Sequence, residues 1–131
     1  MREEEIETLL EKAKQFANNS FVPFSSVPEG ACVLTDDNIL IGGCAVENAD
    51  LSCSASAVSV AVLKAVSEGH TKIKAVIVYS SGKKLPYLTG SARQIVHQFG
   101  ENAEVFVAND EKVEKYSMFE LLPFAFEGED L

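Results

Sequence analysis

Apolar residues recur every three to four positions at the start of the chain. Ile6, Leu9, Leu10, Ala13, Phe16 and Ala17 predict a helix over residues 2–18 with one buried face. Glu3, Glu4 and Glu5 stand where the positive end of a helix dipole favours carboxylates. Residues 21–28 carry Pro23 and Pro28 and read as a connector, because proline cannot continue a helix. A short strand over 31–34, a turn at Asp36-Asp37-Asn38 and a return strand over 39–46 predict a hairpin, with Gly42-Gly43 marking a bulge or a close approach. After a loop at 47–50, a helix is expected over 52–68. Its interior from 55 to 66 is small and apolar, with Lys64 the only charge, so burial on nearly all sides is expected, and Gly69 is its stop. Residues 74–79 read as a buried strand, 90–99 as a helix with Ile95, Val96 and Phe99 inward, and 104–108 as another strand. Ser117 and Glu120 fit a capping box that opens a short last helix. A hairpin followed by alternating helices and strands implies an α/β fold, a mixed sheet with helices on both faces.

Composition narrows the function classes. The 131 residues hold 47% hydrophobic side chains, which argues against disorder, and the length predicts one domain over 1–131. Eleven basic against twenty acidic residues give a net charge of -9. Phosphate binding needs a basic patch, so neither nucleic acid nor an anionic membrane surface is an expected partner. No stretch approaches the roughly 18 apolar residues of a membrane span. The acidic start, Met1-Arg2-Glu3-Glu4-Glu5, is the opposite of a secretion signal. Three cysteines have no evident pairing and read as reduced, buried thiols of a cytoplasmic protein.

No spacing makes a strong site by itself. There is no nucleotide-binding glycine loop and no zinc-protease motif. His70 and His97 stand in unrelated settings and read as surface residues. Cys53, near an expected helix start, is either a thiol of lowered pKa or a small buried residue. The residues alone reach only a cytoplasmic α/β domain.

Five segments carry a resemblance. Residues 43–49, Gly-Cys-Ala-Val-Glu-Asn-Ala, are followed by Lys64-Ala65-Val66-Ser67-Glu68-Gly69. Phe21-Val22-Pro23-Phe24-Ser25 is similar to an aromatic-x-Pro-Tyr-Ser segment, Gly90-Ser91-Ala92-Arg93-Gln94 to the opening of a second site helix, and residues 120–126 to a Glu-Leu-Leu-Pro-x-x-Phe terminus. In this order they resemble the small homotetrameric cytidine deaminases of nucleoside salvage. The resemblance implies a three-layer α/β/α fold with a mixed five-stranded sheet. It also implies a chemistry in which zinc-bound hydroxide attacks C4 of cytosine, three cysteine thiolates hold the metal and a glutamate moves protons.

The positions that carry this chemistry in the family fall on other residues here. The cysteine positions fall on Ser56, Thr89 and Ala92, and the glutamate position on Val58. Hydroxyls are poor zinc ligands beside thiolates, and valine carries no proton. The resemblance therefore implies a degenerate site, and zinc is expected to be absent. Its nucleoside contacts fall on Val27, Ala45, Glu47 and Phe126. Glu47 would either grip a sugar hydroxyl or cap backbone donors of its own loop. The expected function is that of a catalytically inactive cytidine deaminase homologue with a structural, regulatory or nucleoside-binding role. The alternatives are an enzyme of altered, metal-independent chemistry, or a zinc-dependent deaminase as overall similarity would suggest. Expected partners are further copies of the chain in a tetramer or dimer, an active paralogue, or a nucleoside-like molecule.

Overall fold

Alternation along three central strands sets the layers. The computed structural model describes all residues, Met1–Leu131. Its elements are α1 (Glu3–Ala17), β1 (Glu29–Thr35), β2 (Leu40–Cys44), α2 (Ala57–Ser67), β3 (Ile73–Ser80), α3 (Gly90–Phe99), β4 (Glu104–Ala108), β5 (Val113–Ser117) and α4 (Met118–Leu121), with single 3₁₀ turns at Leu51–Cys53 and Gly128–Asp130. Ala31 and Val33 of β1, Val76 and Val78 of β3, and Val105 and Val107 of β4 face one side. There they pack with Val58, Ala61 and Val62 of α2, Val96 of α3 and Met118 of α4. Cys32, Leu34, Ala75, Ile77, Phe106 and Ala108 face the other side, against Leu9, Ala13 and Ala17 of α1. Successive strand residues point to opposite faces, so continuous apolar strands demand cover on both.

The five strands lie in the order β2-β1-β3-β4-β5. β1 pairs antiparallel with β2 and β3, and β4 with β5, while β3 and β4 are parallel, joined by the α3 crossover. The expected mixed five-stranded sheet is thus the observed one. The glycines of the hairpin seat its two helices. A Cβ on Gly30 would lie 2.0 Å from the Ala13 carbonyl oxygen of α1, and one on Gly43 would lie 2.5 Å from the Ala61 nitrogen of α2. Of the two readings of Gly42-Gly43, close approach is the one found, since the β1–β2 register runs unbroken.

Three expectations change. β5, with the sequence Val-Glu-Lys-Tyr-Ser, was not legible from the residue pattern. It is an edge strand with partly exposed residues and no apolar face to announce it. Helix α2 starts at Ala57 rather than residue 52. Asp50 caps a 3₁₀ turn by accepting from the Ser52 N–H at 3.1 Å, and Ala55 bridges to Val46 before Ser56 starts the helix. Burial of α2 is also less complete than expected, since Leu63 is 51% exposed. The end at Gly69 stands, at φ 96°. No helix is long and apolar enough to cross a membrane.

Candidate functional site

The starts of α2 and α3 converge on one concavity. Ser56 is the N-cap of α2. Its Oγ accepts from the Ser59 N–H at 3.2 Å and donates to Ser59 Oγ at 2.9 Å. Thr89 is the N-cap of α3, its Oγ1 accepting from the Ala92 N–H at 3.3 Å. Both hydroxyls therefore serve helix donors that would otherwise lack partners. Between them lies an inner cavity of about 50 Å³, walled by Val58, Val78, Leu88 and Ala92. Outside it opens a groove of about 530 Å³, reaching Ala45, Glu47, Ser54, Leu63 and Ile95. Glu29, Ser56 and Thr89 border both spaces.

Two carboxyls and no Lys, Arg or His line these spaces. Glu29 opens β1, and its Oε1 accepts from the Ala57 N–H at 3.2 Å. Burial pushes its carboxyl above the ordinary glutamate value, and the Ala57 donor only partly opposes this. Glu47 behaves oppositely. Its Oε1 accepts from the Phe24 and Ser25 N–H groups at 2.9 and 3.1 Å. The Ser25 hydroxyl and these backbone donors hold it below the usual range. Of the two readings of Glu47, backbone capping is the contact the structure contains.

Ser56, Val58, Thr89 and Ala92 are brought together, with Ala45 and Glu47 on the adjoining groove. Val27 and Phe126 are not. Val27 is 45% exposed and borders neither space, and Phe126 is 56% exposed with its backbone held by Gln94. Sequence reasoning missed Glu29, because it ended the connector at residue 28, began the strand at residue 31 and left the charged residue between them unassigned. It also missed Arg93, which donates from Nε to the Leu88 carbonyl and from Nη1 to the Leu121 carbonyl, both at 2.9 Å, tying the site's lip to α4. The three cysteines are free, but only Cys32 is buried, its thiol pushed up to about 12 by burial; Cys44 is half-buried and Cys53 exposed.

A second cluster lies at the far end of α3. His97, Glu101 and Glu127 bring their ligand atoms within 4.8 Å of one another, and His97 Nε2 is 2.7 Å from Glu127 Oε1. His97 is half-buried there, so it is no plain surface residue. None of the three borders the inner cavity or the groove.

A profile described as the "cytidine and deoxycytidylate deaminase zinc-binding region" matches residues 3–86. The chain belongs to the cytidine deaminase family. A cytidine deaminase of Sporosarcina psychrophila is 32% identical over 97% of this chain and 95% of its own length. A probable cytidine deaminase of Dictyostelium discoideum is 34% identical, covering 100% of this chain and 90% of its own. The crystal structure of a cytidine deaminase from Burkholderia pseudomallei superposes with a TM-score of 0.88 at 28% identity, over 96% of this chain and all of that one.

Membership corrects the expectation that the chain goes without zinc. The family profile is that of a zinc-binding region, and the chain holds a His-Glu-Glu set of the nitrogen and oxygen donors that zinc accepts. Zinc is the cofactor to which both point. That expectation rested on four positions and on reading His97 as a surface residue, apart from Glu127, which lies 30 residues away in sequence. At Ser56, Thr89 and Ala92 the donor set does not fit the metal. Two hydroxyls already serve as helix caps, and Ala92, 1% exposed, supplies no ligand atom.

Proposed function

We propose that this cytidine deaminase family member binds a nucleoside-like small molecule in the groove between α2 and α3 and does not hydrolyse it at Ser56, Val58, Thr89 and Ala92. The carrying observation is the fate of Val58. It is 2% exposed and packed in the main core, so no carboxyl reaches the pocket from the position where the family resemblance puts its proton-transferring glutamate. A structural or regulatory role without a bound nucleoside is the second reading, favoured by the burial of Val58 in the core. The groove's volume, about 530 Å³, lies within the usual range for small-molecule sites, and its hydroxyls and carboxyls suit a polyhydroxylated ligand without phosphate. The proposal covers residues 1–131 as one domain in the cytoplasm, where free thiols persist.

Homo-oligomerisation, as a tetramer or dimer, belongs to the same proposal. Phe24, Phe119 and Phe124 are exposed, and large apolar side chains in water favour burial against another copy or an active paralogue. The test is thermal shift and calorimetric titration of the purified chain with nucleosides and bases, alongside assay of ammonia release. Saturable binding without ammonia supports the reading. Binding of none of them, or turnover, contradicts it.

A further inference from the structure

Glu29 is costly where it stands, and the fold uses only one of its two carboxyl oxygens, at the first N–H of α2. It opens a strand whose remaining residues are all buried, and its backbone pairs with Ser80 whatever the side chain is. Its carboxyl has one partner, the Ala57 N–H, and no cation lines either space it borders. A partly buried carboxyl without a countercharge costs stability, and one helix-end N–H offsets that only in part, which leaves the group suited to a partner from outside the chain. Oε2 takes no hydrogen bond from any residue, yet it is not a sealed, unsatisfied atom, so it is open to solvent. Ser56 and Thr89 flank the carboxyl at the junction of cavity and groove, with their own oxygens engaged as caps. Glu47 lines the same groove, its carboxyl held by the Phe24 and Ser25 backbone.

We propose that Glu29 anchors the ring of the ligand, pairing at two points with the amidine-like edge of an amino-substituted nitrogen heterocycle. This rests on the nucleoside-binding reading above and names the group that selects the base. An amino group beside a ring nitrogen offers one donor and one acceptor. A carboxyl makes two hydrogen bonds with that edge wherever the shared proton resides. The inner cavity of about 50 Å³ is too small for a ring, so the ring lies in the groove with its edge toward Glu29. Glu29 and Glu47 without a neighbouring cation repel a phosphate, so the ligand is a nucleoside and not a nucleotide.

The test is calorimetric titration of the full chain with cytidine, adenosine and cytidine 5′-monophosphate, using wild type, Glu29→Met and Glu29→Gln. Circular dichroism confirms that each variant is folded. Hydrogen bonds to a carboxyl imply a loss of about tenfold or more in cytidine affinity for Glu29→Met. Glu29→Gln keeps one donor and one acceptor and retains most of the affinity. A smaller loss in Glu29→Met, or tighter binding of the monophosphate than of cytidine, overturns the assignment of Glu29 while the nucleoside reading stands. If neither cytidine nor adenosine binds wild type, that reading falls and this inference with it.

Discussion

Putting a glutamate back at position 58 tests whether the pocket has been converted to core. Val58 is 2% exposed and packs against β1, β3 and α3. Val58→Glu forfeits about 1.5 kcal/mol of apolar burial. The longer side chain must force the walls of a cavity of only about 50 Å³, an overpacking of about 1–3 kcal/mol. A carboxyl left without a partner adds about 1–3 kcal/mol. The sum, about 3.5–7.5 kcal/mol, is a large share of the stability of an ordinary domain. For a chain of this length it should lower Tm by about 10 °C or more. The assay is thermal unfolding by circular dichroism of wild type, Val58→Glu and Val58→Gln between pH 4 and pH 8. Glu29 borders the same cavity, so the new carboxyl also faces a like charge. Both effects raise its folded pKa. The penalty is therefore full above that pKa and relieved on acidification, and the gap between Val58→Glu and Val58→Gln should narrow toward pH 4. A Val58→Glu protein within about 1 kcal/mol of wild type at pH 7 would refute this reasoning, because position 58 would then face roomy, polar space.

Other outcomes follow from single contacts. Glu29→Gln should raise Tm at pH 8 more than at pH 4. Burial raises the Glu29 pKa in the folded state, so its ionisation costs stability as pH rises through that value, and an unchanged difference across pH would contradict the assignment. Gly43→Ala should destabilise by about 1–3 kcal/mol, since its Cβ would lie 2.5 Å from the Ala61 nitrogen, and denaturant midpoints measure this. Ser117→Ala removes the hydroxyl that caps the Glu120 N–H at 3.1 Å and should cost about 1 kcal/mol by the same measurement. Zinc titration should raise Tm in wild type and not in His97→Ala, whereas an equal rise in both would remove the His97, Glu101 and Glu127 set as its site.

Local patterns that coincide with burial were legible in the sequence. Helix α3 and strand β4 begin and end at the residues where period and capping place them, because Val96 and the Val105-Phe106-Val107 run are both apolar and buried. The capping box at Ser117 was legible for the same reason, two polar partners three residues apart. Strand β5 was not, since an edge strand with half its surface in water needs no apolar alternation. The late start of α2 was not, since Ala55 belongs by composition to the helix and by hydrogen bonding to Val46. Ser56, Val58, Thr89 and Ala92, which line one cavity, were singled out by a family resemblance and not by any local pattern. Glu29 and the His97–Glu127 contact depend on tertiary neighbours 28 and 30 residues away, and no local pattern encodes them.

The central claim is that this family member does not deaminate nucleosides at the pocket beneath α2 and α3. Its most direct test is uridine formation from cytidine by the purified full chain, with zinc supplied, followed by chromatography over a range of protein concentrations. The account predicts uridine no higher than in the protein-free control. Uridine formation that scales with protein and saturates with cytidine would contradict it.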